Sequence, residues 1–300
     1  MTESTPEPYQ DWWREASSEI GLTNAFALQK AHEVETPAHK LELYTHHLFG
    51  WMLVVDGCLY SIEHDPGYRE MLVHVPLLGR KRDACRVLML GGAGAILREI
   101  LRHEFVTEVV VCESEPALLE VERDWLGHGE ALLDARVKLF FHRAEAALTA
   151  VAIGTRGFAL FDLIVHCSPA TQRALSPQSL AACLTDSGVC VDSDWLVLGA
   201  KQNFWLREMT GSRNSLLRSA SENASFQTIQ SFCGLSPWMT GYRGFFLYTK
   251  DSHSYAEPCA DYTGTHYNAD LHRASFLLPT FWPAQYATNK LRGKFGGISQ

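Results

Sequence analysis

Apolar and polar residues alternate through residues 40–62, near the start of the chain. This stretch is rich in β-branched and aromatic residues and is interrupted at Gly50 and at Asp56-Gly57. Alternation with a period of two predicts half-buried antiparallel strands, and an Asp-Gly pair predicts a tight hairpin turn. In residues 67–78 the apolar positions change to helical spacing. We therefore predict a small antiparallel sheet followed by a helix.

A different pattern begins at Arg86, where continuous apolar runs alternate with segments of helical period. Strands that are apolar throughout are typical of sheets buried on both faces, and repeated β-α units predict a parallel, doubly wound sheet. The chain is therefore predicted to be an α/β protein. Residues 262–281 follow neither period and are predicted to be irregular. The first β-α-β unit is formed by RVLMLGG, AILREILRHEF and VTEVVVCE.

Charge and cysteine content narrow the class of partner. The 34 acidic and 26 basic side chains give a formal net charge of -8, which repels phosphate backbones and anionic lipid surfaces but permits a cationic partner. No apolar run reaches the roughly 20 residues that a membrane-spanning helix needs. The eight cysteines contain no Cys-x-x-Cys pair or zinc spacing, and the first residues lack the pattern of a secretory signal. We therefore expect a cytoplasmic protein that binds no nucleic acid, membrane or metal.

Glycines follow the first strand of the predicted parallel sheet, at Gly91, Gly92 and Gly94. In such sheets a ligand binds beyond the carboxyl ends of the strands, where a glycine turn lets a nucleotide approach the backbone and a helix N-terminus. The turn is too short and irregular for the dinucleotide pattern, so a tight turn without a ligand explains it equally well. Glu113, however, ends the second strand about 20 residues later, where an acid accepts hydrogen bonds from both ribose hydroxyls. Together the two features favour an adenosine-type ligand without a ribose 2′-phosphate.

Longer motifs occur in residues 35–278, and they are FGWMLVVDG, GYREMLVHVPLL, VLMLGGAGAILREIL, VVVCESEP with DARVKLF, GYRGFFLYTK and HYNADLHRASFLLP. With these motifs the chain resembles the spermidine synthase family, the aminopropyltransferases that move an aminopropyl group from decarboxylated S-adenosylmethionine to putrescine or a related amine. The resemblance implies a small N-terminal β-domain, residues 1–66, and a Rossmann-like, methyltransferase-type domain, residues 67–300. It also implies a homodimer or homotetramer that takes a small cationic amine.

Several positions depart from the family's pattern. The glycine turn reads GGAGA and lacks the aspartate that grips the donor's amino group. His142-Arg143 replaces a Gly-Asp pair whose aspartate binds the adenine amino group; a guanidinium offers only donors and favours a carboxylate or phosphate instead. His166-Cys167-Ser168-Pro169 replaces the Asp-Ser-Ser-Asp-Pro loop, whose first aspartate accepts the proton of the attacking amine. Trp238 aligns with the tyrosine of the family's Pro-Thr-Tyr-Pro loop.

His166 retains a base at the position of the lost aspartate, because an unperturbed imidazole has a pKa near 6.5. It does not retain the fixed negative charge that anchors a polyamine. The resemblance places the remaining polar residues on the Tyr-x-Glu helix, at the ribose acid and at the amine site, and for each the alternative is a hydrogen-bonding role in the core. The predicted site consists of the catalytic residues His166 and Tyr68; the donor-binding residues Gly91, Gly92, Gly94, Glu113, His74 and Arg143; and the amine-binding residues Glu70, Asp192, Trp195 and Trp238.

Three functions agree with these observations. The first is a divergent aminopropyltransferase with a rebuilt pocket, which uses decarboxylated S-adenosylmethionine as co-substrate and no metal. The second is a transferase of intact S-adenosylmethionine, such as an amine N-methyltransferase, because the donor-specific aspartate is missing. The third is a lapsed paralogue that acts by binding. A rebuilt site predicts that His166, His39 and His142 converge on one cleft, whereas decay predicts that they are scattered.

Overall fold

The structure, a computed structural model, describes residues 12–15, 25–92, 94–154, 159–167, 175–196, 225–235 and 242–278. The chain divides into two compact units. The N-terminal unit comprises the described residues of Met1–Asp65 together with Glu115–Gly129, and the sheet unit comprises those of Pro66–Ser114 and Glu130–Gln300. The functional division between residues 66 and 67 stays a prediction.

The N-terminal unit contains the predicted antiparallel sheet. Asp56 and Gly57 form its last hairpin turn with φ angles of 51° and 76°, the left-handed conformation that a type I′ turn requires at both positions. The predicted Asp-Gly turn is therefore confirmed. The unit's strands are β1 (Trp12–Arg14), β2 (Ala25–Ala27), β3 (Gln29–Glu35), β4 (Lys40–His46), β5 (Gly50–Val55) and β6 (Cys58–Ile62), with β1 paired to β2 and the four others forming one antiparallel sheet in sequence order.

One helix from the middle of the chain packs on this sheet. Helix α3 (Pro116–Asp124) is capped by the Glu115 side chain, which accepts a hydrogen bond from the Ala117 backbone N–H. The second Glu115 oxygen accepts from the Thr36 hydroxyl at 2.8 Å, so the cap also ties the helix to the N-terminal unit. The buried side chains between helix and sheet are Leu41, Leu43, Leu53, Val55, Leu118, Val121 and Leu126.

The sheet unit holds the predicted β-α repeats, which confirms the α/β prediction. Its strands are β7 (Cys85–Leu90), β8 (Val106–Cys112), β9 (Val137–Phe140), β10 (Phe161–His166), β11 (Leu184–Leu196), β12 (Thr228–Leu235) and β13 (Tyr242–Thr249). Its helices are α1 (Pro66–Leu78), α2 (Gly94–Leu101), α4 (Gly129–Leu132), α5 (Ala144–Ala152), α6 (Pro177–Ala182) and α7 (Ala269–Ser275). Helix α7 corrects the expectation that residues 262–281 are irregular.

The strand order is β12-β13-β11-β10-β7-β8-β9. Strands β11 to β9 in that order are parallel, and β13 and β12 pair antiparallel at one edge. The chain moves from β7 to β8 on one side and returns to β10 on the other. This reversal makes the carboxyl ends of β7 and β10 the topological switch point, where open α/β sheets bind their ligands.

Each face of the sheet buries its own core. Alternate residues of a strand point to opposite faces, so Leu88 and Ile164 pack with α5 and α6 on one face. Val87 and Val165 pack with α1 and α2 on the other. The alternation also decides which face each residue at the strand ends can reach.

Candidate active site

The segments with predicted site residues end at the same edge of the sheet, because the strands that carry them are parallel neighbours. Gly91 follows β7, Glu113 follows β8 and Arg143 follows β9. His166 is the last residue of β10 and Asp192 lies near the end of β11. We call this the carboxyl edge.

The glycine turn at β7 is formed by backbone that only glycine adopts readily. Gly91 and Gly92 have φ angles of 69° and 75°, in the left-handed region that other residues rarely occupy. A Cβ added at Gly92 would lie 2.5 Å from the Cβ of Cys167. Cys167 itself is fixed by its backbone N–H, which donates to the Leu90 carbonyl at 2.9 Å. Both the conformation and the space at Gly92 therefore require a glycine.

Glu113 follows β8, the strand next to β7 and its glycine turn. Its backbone N–H donates to the Phe140 carbonyl at 3.1 Å, and the Gly91 N–H donates to the Cys112 carbonyl at 2.9 Å. These bonds fix β7, β8 and β9 relative to one another where the three strands end. Glu113 is buried, with 3% of its surface exposed. A carboxylate here accepts hydrogen bonds from vicinal hydroxyls.

His166 is paired with Asp192 at the ends of two neighbouring strands. The Nδ1 atom of His166 lies 3.3 Å from Oδ1 of Asp192, and each side chain is 15% exposed. The Asp192 oxygen is itself held by the Ser193 backbone N–H at 2.7 Å. The His166 contact has the distance of an ion pair without the alignment of a hydrogen bond, which is common for catalytic pairs before the substrate binds.

Tyr68 belongs to a different group of side chains on the carboxyl edge. Its hydroxyl lies 3.2 Å from Oγ of Ser193, and the same Oγ accepts a hydrogen bond from Nη2 of Arg243 at 3.0 Å. The Arg243 guanidinium carbon lies 4.6 Å from the centre of the Tyr68 ring, within cation–π range. The ring also stacks on Phe245 at 6.0 Å.

The protonation state of Tyr68 follows from this environment. Burial raises the pKa of Tyr68 to about 12, although the positive charge of Arg243 acts in the opposite direction. The phenol is therefore neutral at physiological pH and can donate a hydrogen bond, but it does not serve as the proton acceptor of a reaction.

Glu70, predicted as an amine ligand, is saturated by the backbone of the same unit. Its Oε1 accepts from the Thr265 N–H at 3.0 Å. Its Oε2 accepts from the N–H groups of His266 and Tyr267 at 2.8 and 2.7 Å. With 3% of its surface exposed, Glu70 anchors the segment that leads into α7.

His74, predicted at the donor, lies in a buried polar network. Its Nδ1 lies 2.9 Å from Nε2 of His103 and its Nε2 lies 3.6 Å from Glu99. His103 follows the far end of α2, about 12 Å along that helix from the glycine turn. The structure therefore does not bring His74 to the carboxyl edge.

Of the three histidines that a rebuilt pocket would share, His142 and His166 belong to separate strand ends of one sheet. His39 pairs with Asp56 at 2.7 Å inside the N-terminal unit. His142 is exposed after β9, and His166 ends β10. Because β7 and β8 lie between those strands, the strand spacing separates the two histidines by about 14 Å. His166 is therefore paired with Asp192 and separated from His142.

The structure gives few side-chain contacts for the remaining predicted residues. The Arg143 side chain is 70% exposed and lies 3.8 Å from Glu145. Trp195 pairs in register with Arg243 across β11 and β13, but its side chain is not among those described. Trp238 lies outside the described residues.

Sequence reasoning missed Cys167, Ser193 and Arg243. Cys167 follows His166 on a strand and so points to the opposite face, toward Gly92 and the Tyr68 side of the sheet. The alternation of side chains between the two faces of a strand could be predicted from the sequence. The position of Arg243 over Tyr68 was not, because it depends on the antiparallel register of β13 against β11.

In the part of the chain that the structure describes, no three His, Cys, Asp or Glu side chains are grouped to hold a metal ion. Among the helices of that same part, none has the length and apolar character to cross a membrane.

The chain is similar in sequence to known spermidine synthases. Spermidine synthase 1 of Hyoscyamus niger is 27% identical over 252 residues, which cover 78% of this chain and 76% of that protein. Spermidine synthase of Dictyostelium discoideum is 27% identical over 292 residues, covering 91% and 96%.

Solved structures match the fold. The crystal structure of spermidine synthase from Thermotoga maritima aligns with a TM-score of 0.74 at 20% identity, covering 93% of this chain and 95% of that one. A spermidine synthase in complex with the transition-state analogue AdoDATO aligns with the same score and coverage.

The family model of the spermine/spermidine synthase domain matches residues 65–227, which is more than half of the 300 residues. The chain belongs to the spermine/spermidine synthase family.

Proposed function

We propose that this chain is an aminopropyltransferase that moves the aminopropyl group of decarboxylated S-adenosylmethionine to an amine. The observation that carries the proposal is the His166–Asp192 pair, 3.3 Å apart. It lies at the same edge of the sheet as the glycine turn and Glu113. Donor site and base would thus be supplied by adjacent strand ends.

The donor would lie across the ends of β7 and β8. Gly91 and Gly92 let its nucleoside approach the backbone, since a side chain at Gly92 would meet Cys167. Glu113 would accept hydrogen bonds from the ribose hydroxyls. The turn has no carboxylate for the donor's amino group, so the bond between sulfonium and aminopropyl carbon is positioned chiefly by the nucleoside.

The reaction is a displacement at carbon. The amine nitrogen forms a bond to the aminopropyl carbon, the carbon–sulfur bond breaks, and methylthioadenosine leaves as a neutral thioether. The nitrogen loses one proton, which His166 would accept on the ring nitrogen that does not face Asp192. The Asp192 carboxylate stabilises the imidazolium that results. The neutral phenol of Tyr68 would donate a hydrogen bond within the site and take no proton.

We propose a homodimer or homotetramer in the cytoplasm, with no metal and no nucleic acid in its activity. Light scattering after size-exclusion chromatography measures the assembly directly, and a monomer would contradict that part of the proposal.

Calorimetry tests which donor the protein binds. Purified protein is titrated with decarboxylated S-adenosylmethionine, intact S-adenosylmethionine and methylthioadenosine. We expect the decarboxylated donor and methylthioadenosine to bind and the intact donor to bind more weakly. Tighter binding of intact S-adenosylmethionine would favour a methyltransferase. Absence of binding by all three would favour a protein without a working nucleoside site.

A further inference from the structure

A row of three residues crosses the sheet one position beyond the ends of β7, β8 and β9. The last residues of these parallel strands are in register, so the next position of each strand brings Gly91, Glu113 and Phe141 side by side. The Gly91 N–H donates to the Cys112 carbonyl at 2.9 Å. The Glu113 N–H donates to the Phe140 carbonyl at 3.1 Å. These two bonds continue the ladder and hold the row together.

Glu113 and Phe141 point to the same face of the sheet. Successive residues of a strand alternate between the two faces. Val111 of β8 packs in the core with α1 and α2, so Glu113, two residues later, continues on that face. Phe140 packs against the core of the opposite face, so Phe141 points to the face of Glu113.

Phe141 presents an open aromatic ring at the end of this row. It is 49% exposed, whereas Phe140 is partly buried and its ring lies 4.5 Å from that of His142. The Phe140 carbonyl accepts from the N–H groups of Glu113 and His142 at 3.1 and 2.9 Å. The backbone on both sides of Phe141 is thus fixed, and the ring is held at a defined place beside Glu113.

The spacing of the row matches the parts of a nucleoside. Neighbouring strands lie about 4.8 Å apart, so a ribose at Glu113 has one of its ends at Gly91 and the other at Phe141. The glycine offers no side chain to a ring. Phe141 offers an aromatic face, and bases bind such faces by stacking. The base therefore belongs at Phe141, and the sulfur-bearing end of the donor belongs at the glycine turn.

We propose that the base of the donor stacks on Phe141. This inference rests on the proposed aminopropyl transfer and names a residue that determines how its donor is held. Stacking on an aromatic ring depends little on the substituents of the base, because every base has a π-face. Phe141 therefore contributes equally to the binding of adenine and of hypoxanthine nucleosides.

Calorimetric titration with methylthioadenosine tests the stacking. Phe141→Ala should weaken binding by about tenfold or more, and Phe141→Tyr, which keeps the aromatic face, should bind within about threefold of the wild type. Leu139→Ala is the matched control, because Leu139 is a 40% exposed residue of the same strand, two positions before the row. It should leave the affinity unchanged. An affinity of Phe141→Ala equal to that of the wild type would overturn the inference.

Methylthioinosine, which carries an oxygen in place of the amino group of adenine, separates stacking from hydrogen bonding. Phe141→Ala should weaken the binding of both nucleosides by the same factor, within about threefold. A loss confined to methylthioadenosine would contradict stacking.

Transfer assays run beside the titrations separate this inference from the proposed function. If an amine gains an aminopropyl group but Phe141→Ala binds methylthioadenosine as the wild type does, the stacking is wrong and the transferase stands. If no amine is aminopropylated but Phe141→Ala loses affinity as expected, the stacking stands and the transferase is wrong. A wild-type protein that does not bind methylthioadenosine would overturn the stacking outright.

Discussion

The Arg243 guanidinium carbon lies 4.6 Å from the centre of the Tyr68 ring, and both side chains contact the hydroxyl of Ser193. The three residues come from α1, β11 and β13. Their meeting joins the first helix of the sheet unit to its antiparallel edge. It also places a permanent positive charge beside a residue that the family resemblance predicts to be catalytic.

The His166–Asp192 pair predicts a strong effect of removing the imidazole. Glutamine cannot accept the amine's proton, so His166→Gln should lower kcat by about 100-fold or more. Steady-state rates with saturating donor measure the effect.

Asp192→Asn serves as the companion variant, since it keeps the shape of the side chain and removes the charge that faces Nδ1 of His166. We expect a smaller loss of kcat than in His166→Gln. A kcat of His166→Gln equal to that of the wild type would exclude His166 as the base.

Glu70 should contribute to stability more than to amine binding. Removing its carboxylate leaves three backbone N–H groups, one of them in the buried Tyr267, without their acceptor, so Glu70→Ala should lower the free energy of unfolding by about 2–4 kcal/mol. Glu104→Ala, at an exposed position in the same unit, should change it little. Urea denaturation measures both. If Glu70→Ala were as stable as the control but had lost amine affinity, Glu70 would be a substrate ligand after all.

The Gly92 backbone predicts a loss of donor binding on substitution. Gly92→Ala combines a φ of 75° with a contact to Cys167 at 2.5 Å, and should destabilise the protein by about 1–3 kcal/mol and weaken methylthioadenosine binding. Gly154→Ala is the matched control, because Gly154 has a φ of 66° and nothing within 4 Å of an added Cβ. Equal effects of the two variants on nucleoside affinity would argue against a donor site at this turn.

The buried His103 should make the folded protein less stable in mild acid. Burial and, to a lesser extent, the neighbouring His74 lower the pKa of His103 to about 3. The unfolded chain, with an ordinary histidine pKa near 6.5, therefore binds a proton that the folded protein excludes between those values. The contribution of His103 to stability is fully present above about pH 6.5 and falls by about 2 kcal/mol between pH 7 and pH 5.

His103→Gln isolates this contribution, because glutamine keeps a polar partner for His74 and does not titrate. Denaturation midpoints at pH 7, 6 and 5 should show a shallower decline in the variant than in the wild type. Parallel declines would mean that folding does not lower the pKa of His103.

Much of the fold could be predicted because the signals were local. The apolar runs of β7 and β8 are buried on both faces, and the Asp56-Gly57 pair fits a two-residue hairpin. Helix α7 was missed because it is a single short helix, and its start depends on the Asn268 side chain capping the Leu271 N–H. Strand β12 was missed for a related reason: its place in the sheet comes from pairing with β13.

The site was predicted less completely because side-chain roles depend on distant contacts. Glu70 meets backbone groups nearly two hundred positions further along the chain, and nothing in its own sequence neighbourhood indicates them. His166 and Asp192 fall together because β10 and β11 are parallel neighbours in register, with Val165 opposite Val191. The sequence predicted that both residues belong to the site but not that they form a pair.

The most direct test of the central claim is mass spectrometry of an amine incubated with this protein and decarboxylated S-adenosylmethionine. We expect the amine to gain one aminopropyl group while methylthioadenosine accumulates in equal amount, and His166→Gln to form much less of both. A wild-type protein that binds methylthioadenosine yet aminopropylates neither n-butylamine nor putrescine would contradict the account.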